Sequence, residues 1–380
     1  MIDLSTALPT TTPCLSQAFS DGLSRLSRSA DIADRLRENR PFGSEKDRLS
    51  GTLLLSRRFG SAWRPTGIVL TNGTQSSLLW ILRSETKPGD IIVAEQLAYL
   101  CLKPLANALG LRVVGVDMDR EGIVPAALEA VCRQSGPKVL FCTPTLQNPT
   151  LAVMSAARRR EVAGIAKARD LLIIEDDVLG MLHPDAPPPL HSFAPQRSYY
   201  ILSLSKSLAM GLRIAYVALP SYLTASDPGD GFARASWMFP NALSCELASD
   251  LVETGRFDAI LRSARLDIEE RQKIAREILG SFHPRFADGA LHVWLPVGDQ
   301  VTAELIAGEA FNRGVALRAA SMFSVDDRPA PNALRVAITA PKTLEELTRG
   351  LRTVSDLLCH PPKSRTKGLL INQPQNGAFP

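Results

Sequence analysis

Ser203-Leu204-Ser205-Lys206-Ser207-Leu208-Ala209-Met210-Gly211-Leu212-Arg213 is the stretch on which the reading of this chain turns. It lies between two apolar β-rich runs, Tyr199-Tyr200-Ile201-Leu202 and Ile214-Ala215-Tyr216-Val217-Ala218. Lysines rarely stand where a strand leaves a buried sheet. One reading of Lys206 is a surface lysine that lays its stem along apolar neighbours. The other is an amine in a polar, partly buried pocket, kept neutral and able to condense with an aldehyde. The hydroxyls around it and Arg213, seven residues on, then suit a phosphate dianion.

Outward from that stretch, a rhythm of short apolar runs and helical patterns begins near residue 66. The earlier runs are Gly67–Thr71, Ile91–Ala94, Leu111–Val116, Val139–Cys142 and Leu171–Ile174. Between them lie helix-period segments such as Leu78, Leu79, Ile81 and Leu82, or Val162, Ile165 and Ala166 after an N-cap at Ser155. Near-continuous apolar strands alternating with helices predict a mostly parallel sheet covered on both faces, an α/β domain reaching about residue 240. Residues 1–65, interrupted by Pro9, Pro13 and Pro41, read as irregular. A long helical stretch is expected over roughly 241–281. A smaller α+β unit follows, with strands at Leu291–Leu295, Val315–Leu317 and Leu334–Ile338 and helices over 301–313 and 342–358. Residues 361–380 lack periodicity and read as a loose tail.

Three further segments end strands on polar residues. Ile173-Ile174-Glu175-Asp176-Asp177 places acids where parallel sheets bind ligands, beyond the strand's carboxyl end. One acid there suits a protonated heterocyclic nitrogen, although strand-end solvation or helix capping fits as well. Thr71-Asn72-Gly73-Thr74-Gln75-Ser76-Ser77 is a strand–turn–helix junction, whose free N–H groups and dipole favour an anion. Thr143-Pro144-Thr145-Leu146-Gln147-Asn148-Pro149-Thr150 carries an Asn-Pro turn signal, with an amide able to reach a phenolate-like oxygen.

These pieces occur in the order found in the fold-type I pyridoxal-phosphate-dependent aminotransferases of class I/II, which the chain resembles. The likeness is greatest to the 2-aminoadipate-type enzymes and to the aminotransferase-like domain of MocR-type regulators. It is strong over about residues 66–220 and thin to about 358. The resemblance implies the fold-type I α/β architecture, with a large domain at 45–270 and a small domain built from 1–44 and 271–360. It implies that Lys206 carries pyridoxal 5′-phosphate as a Schiff base and that Asp176 pairs with the pyridine nitrogen. Asn148 would bond the ring hydroxyl. Gly73, Thr74, Gln75, Ser203, Ser205 and Arg213 would meet the phosphate. Glu95-Gln96-Leu97-Ala98-Tyr99 places Tyr99 against the ring face. Arg335, in Asn332-Ala333-Leu334-Arg335-Val336, would fork onto the substrate α-carboxylate, whereas taken alone it reads as a strand-edge arginine. His292 reads as a core residue.

Four residues depart from the family pattern. Leu151 stands where a glycine is common, which would reshape that turn. Val178 and Leu179 stand where a tyrosine supports the ring hydroxyl. Phe42 is the nearest match to a tyrosine that reaches the partner subunit's phosphate.

The implied activity is transfer of an amino group between an amino acid and a 2-oxo acid, in a homodimer. The alternatives are another reaction on the same cofactor (β-lyase, decarboxylase or racemase) and a catalytically weak effector-binding module of MocR type. The stretch before residue 66 reads as too short and irregular for a winged helix-turn-helix.

Composition agrees with this picture. The 380 residues, 45% apolar and 22% charged, suit a soluble globular chain of about two domains. A net charge of +4 is too small to announce a nucleic-acid partner. Six cysteines without a CxxC pair and five histidines without ligand spacing predict reduced thiols, no metal and a cytoplasmic location. No signal peptide and no membrane span are expected.

Overall fold

The computed structural model describes residues 1–37, 39–224 and 239–362. From residue 363 onward the expected tail lies outside the described residues.

A seven-stranded sheet forms the centre, in the order Ile68–Thr71, Ala215–Ala218, Ser198–Ser203, Leu172–Asp176, Val139–Cys142, Ile91–Glu95, Arg112–Val116. The last five strands pair in parallel. Ala215–Ala218 runs antiparallel to both its neighbours, with Ala215 opposite Thr71 on one side and Ser203 on the other. Ile68–Thr71 therefore points the same way as the parallel strands. The carboxyl ends of those strands share one edge of the sheet, and there the antiparallel strand begins. That reversal brings Arg213, just ahead of it, beside the turn after Thr71. The bodies of the strands are apolar, with polar residues at their ends, because helices cover both faces: Ile173 and Val93 pack toward one side, Ile174 and Ile92 toward the other. Ser155 caps the helix Ala156–Ala168 as expected, accepting the Arg158 N–H at 3.2 Å.

The N-terminal stretch is not irregular. It contains helices Pro13–Ser27, Ile32–Arg37 and Glu45–Phe59. Pro13 opens its helix at the first turn, where its missing N–H costs nothing, and Thr12 caps it. Ser44 and Asp47 form a reciprocal capping box for Glu45–Phe59. Leu15, Ala18 and Leu26 pack in one apolar cluster with Leu247, Leu251 and Leu261. The long stretch over 241–281 is likewise two helices, Ala242–Glu253 and Arg256–Leu279. Gly255, at φ +70°, takes the left-handed conformation that ends the first and turns the chain into the second.

The smaller unit has an antiparallel sheet ordered His292–Pro296, Ala333–Ala337, Arg318–Ala319. Helices Ala303–Asn312 and Leu344–Cys359 supply Ile306, Leu347, Leu351 and Val354 to its core. The expected strand Val315–Leu317 ends at Ala316, and a separate strand follows at Arg318–Ala319. Val315–Ala316 pairs in parallel with Ile2–Asp3, and Arg318–Ala319 joins the sheet, with Arg318 opposite Arg335. Leu4, fully buried, ties the chain's start into this core.

Candidate active site

A cavity of about 430 Å³ opens at the edge where the parallel strands end. Thr74, Gln75, Tyr99, Asn148, Asp176, Ser205, Lys206, Arg213 and Arg335 all line it, although they come from six separate segments of sequence. Gly73 and Ser203 stand behind its wall. A Cβ on Gly73 would lie 2.9 Å from Arg213 Nη2, and its φ of +85° is left-handed, so only glycine fits between the turn and that guanidinium. The Ser203 hydroxyl donates to Ser205 Oγ at 3.1 Å and accepts the Ser205 N–H at 3.3 Å, which fixes the turn carrying Lys206.

Lys206 Nζ donates to the Ala7 carbonyl at 2.6 Å. Burial lowers its pKa to about 8; Arg335 and Arg213 push the same way, and Asp176 opposes them. The Asp176 carboxylate accepts the Val178 N–H at 3.3 Å. Burial raises its pKa to about 7, helped by Asp177 and Glu175 and opposed by Lys206.

Behind Asp176, Asp177 is paired with Arg58 at 2.8 Å and accepts the Tyr200 hydroxyl at 2.7 Å. Glu175 accepts the Leu190 and His191 N–H groups and lies 3.4 Å from Arg159. Of the three acids that end the strand, Asp176 alone faces the cavity.

The helix Thr74–Glu85 begins at Gly73 with no side-chain cap. Its first N–H groups and Arg213, which donates to the Asn72 carbonyl at 3.2 Å, flank one end of the cavity. The Tyr99 hydroxyl accepts from Gln75 Nε2 at 3.2 Å. Its pKa is raised by burial and by Cys101, so it stays neutral. Arg335 Nη1 donates to Asn148 Oδ1 at 3.0 Å, which leaves the Asn148 Nδ2 as a donor. The Arg335 guanidinium also stacks over Phe323, 4.9 Å from the ring centroid.

The departures have structural answers. Leu151 adopts φ +60°, in the region that favours glycine, and is buried. Gln147 holds that turn from within, donating to the Leu97 carbonyl at 2.6 Å and accepting from Thr150 N at 2.9 Å. Val178 and Leu179 give the cavity an apolar wall. Phe42 is packed against Trp80, ring centroids 5.2 Å apart, inside this chain's own core and not at a surface a partner could reach.

His292 is buried as expected, with Nε2 3.0 Å from the Pro149 carbonyl, yet it also lines the cavity. Burial and Arg335 hold its pKa down to about 3, so it stays neutral. Two contributors have no counterpart in the sequence reading. One is Arg318. The other is the segment Ser5–Ala7, whose backbone carbonyls reach the site cations. No motif marks either, since the contacts join residues more than 190 positions apart.

A second concavity of about 470 Å³, bordered by Arg120, Arg285 and Trp294, contains none of the predicted site residues. Among the described residues no cluster of His, Cys, Asp or Glu suits a metal ion, and no helix is long and apolar enough to cross a membrane.

A mostly parallel sheet with its lysine, acid and anion-binding helix start gathered on one edge is the design of the fold-type I transferases. The family of class I and II aminotransferases matches residues 55–354, and the chain belongs to it. An uncharacterized HTH-type transcriptional regulator of Bacillus subtilis, YdeF, is 33% identical over 77% of this chain and 63% of its own length. An uncharacterized aminotransferase of Saccharolobus solfataricus is 27% identical over 77% of this chain and 75% of its own. The chain spans about three fifths of the length of several such HTH-type relatives. Among solved structures, the kynurenine aminotransferase of Pyrococcus horikoshii superposes with a TM-score of 0.84 at 23% identity, covering 94% of this chain and 91% of that one. LysN, the α-aminoadipate aminotransferase of Thermus thermophilus, gives a TM-score of 0.83 at 21% identity, covering 94% and 92%. These last two likenesses show the fold.

Proposed function

We propose that the chain is a pyridoxal-phosphate-dependent aminotransferase that moves an amino group between an amino acid and a 2-oxo acid, with the cofactor carried covalently on Lys206. The observation that carries this reading is that Lys206 and Asp176 line one cavity together with Arg213 and Arg335. The residues fit the group. The uncapped helix start, Ser205 and Arg213 suit its phosphate, and Gly73, where a Cβ would crowd Arg213, lets that guanidinium lie against the turn. Asp176, with one hydrogen bond and a pKa raised by burial, is an acid that a cationic ring nitrogen would return to its ionised form. Asn148 Nδ2 suits the ring oxygen, and Tyr99 the ring face.

When bound, pyridoxal phosphate supplies an electron sink for the charge left when the substrate Cα–H bond breaks. The chain supplies the rest. Lys206, with a pKa near 8, is partly neutral near neutral pH, so its Nζ can take up the α-proton. Asp176 holds a proton on the ring nitrogen. Arg335, kept in place by Asn148 and Phe323, orients the substrate carboxylate. The apolar wall of Val178 and Leu179 excludes water from the face beside Asp176.

We further propose the division into a large part, 45–270, and a small part, 1–44 with 271–360, and a homodimer in the cytoplasm. The pairing of Ile2–Asp3 with Val315–Ala316 supports the first of these.

The test is product analysis with a panel of amino acids and one 2-oxo acid. Matched formation of a new amino acid and a new 2-oxo acid is expected. Release of ammonia or carbon dioxide, or inversion at Cα, would assign a β-lyase, a decarboxylase or a racemase instead. The likeness to HTH-type regulators supports a second reading, an effector-binding module, in which amino acids bind without turnover.

A further inference from the structure

Arg318 and Arg335 face one another across adjacent antiparallel strands, as register partners. Their guanidinium groups converge on one atom. Arg318 Nε donates to the Ser5 carbonyl at 2.9 Å, and Arg335 Nη2 donates to the same oxygen. Arg335 Nε, buried, has no hydrogen-bond partner. The acid that acts on both guanidiniums is Asp3, and its carboxylate is taken up by the N–H groups of Ser5 and Thr6 and by the Ser5 hydroxyl. A buried cation, Arg335, and a half-buried one, Arg318, thus share a neutral carbonyl, where charge-assisted bonding would favour an anion. Two residues on, the Ala7 carbonyl holds Lys206 in the same way. The segment Ser5–Ala7 sets one backbone oxygen against the arginine pair and one against the lysine.

We propose that Arg318 is a second substrate-carboxylate residue: with Arg335 it clamps one carboxylate, which takes the place held by the Ser5 carbonyl. This rests on the aminotransferase reading for the role of Arg335 and adds to it a residue on another strand. Convergence on a single acceptor atom means that both guanidiniums serve the same carboxylate. A side chain bearing a second carboxylate is not required. A carboxylate has two oxygens and a full charge, so it satisfies both donors better than the carbonyl does. Its arrival releases Ser5, and through the shared segment it loosens Ala7 from Lys206.

The experiment measures the affinity of the full chain, loaded with pyridoxal phosphate, for propionate and for succinate, read from the concentration dependence of the melting temperature. Wild type is compared with Arg318→Gln and Arg318→Lys. The expected result is a loss of affinity on the order of 10- to 100-fold in Arg318→Gln, of similar size for both acids. A smaller loss is expected in Arg318→Lys, which keeps the charge but not the fork.

If Arg318 merely anchors the N-terminal segment, Arg318→Gln lowers the melting temperature without ligand and leaves affinity unchanged or improved. That result overturns the proposal. A loss confined to succinate also overturns it, because it would place Arg318 on a distal carboxylate. Should Arg318→Gln fail to melt cooperatively, an unchanged affinity in Arg318→Lys overturns it equally. A wild-type chain that takes up no cofactor would refute the aminotransferase reading, while carboxylate affinity, measured by melting without cofactor, would still decide the role of Arg318.

Discussion

Burial pushes the Asp176 carboxyl up to about 7 in the folded chain, from 3.8 for a free side chain. Between those values the folded chain holds a proton that the unfolded chain has lost, so stability falls as pH rises through that window and stays lowered above it. Asp176→Asn keeps the acceptor for the Val178 N–H and is neutral at every pH. It should therefore stabilise the cofactor-free chain by on the order of 2–4 kcal/mol at about pH 8, and by less at about pH 5. Denaturant titrations at the two pH values check this; equal effects at both would contradict it. Lys206 behaves in the opposite sense. Its folded pKa of about 8 lies below 10.5, so its cost is fully present below about pH 8 and fades as pH rises toward 10.5. At this scale the sequence was informative where a residue type is rare in its setting, as with a lysine or an acid leaving a buried strand. It was silent on Arg318 and Ser5. A guanidinium that bonds a backbone carbonyl more than 300 residues away leaves no local signature.

The turn 145–151 shows how elements hold residues in place. Leu151 carries the strain of φ +60°, which costs about 1–2 kcal/mol for a non-glycine residue. It is also 1% exposed and packed in the large core. Removing a buried leucine costs about 2–5 kcal/mol, which exceeds the strain released. Leu151→Gly should thus lower stability by about 1–4 kcal/mol, although glycine suits the backbone better. A gain in the denaturation midpoint would contradict that ordering. Strands were the most legible elements: the runs at 68–71, 91–95, 139–142 and 172–176 are mainly apolar because helices bury both their faces, and their polar residues fall at the carboxyl ends. Pro9, Pro13 and Pro41 make the start read as irregular, whereas Pro13 occupies the first turn of a helix and Ser44 with Asp47 caps another. The break at Gly255 was hidden by apolar periodicity that continues on both sides of it. The pairing of Val315–Ala316 with the strand Ile2–Asp3 is one that no local pattern reveals.

Across the whole molecule a nearly neutral chain concentrates its positive charge. Lys206, Arg213, Arg318 and Arg335 line one cavity with Asp176, which favours anionic ligands there. The sheet supplies that arrangement by ending parallel strands on one edge. The small unit supplies Arg318 and Arg335 from a second sheet, and the N-terminal segment closes between the two. The measurement that bears most directly on this account is the visible absorbance of the purified chain with pyridoxal phosphate, for wild type and for Lys206→Ala, before and after addition of amino acids. The account predicts a band of lysine-bound cofactor in wild type that amino acids convert to the pyridoxamine form, with a 2-oxo acid released. It predicts neither the band nor turnover in Lys206→Ala. A wild-type chain without the band, or a Lys206→Ala variant with full turnover, would contradict it.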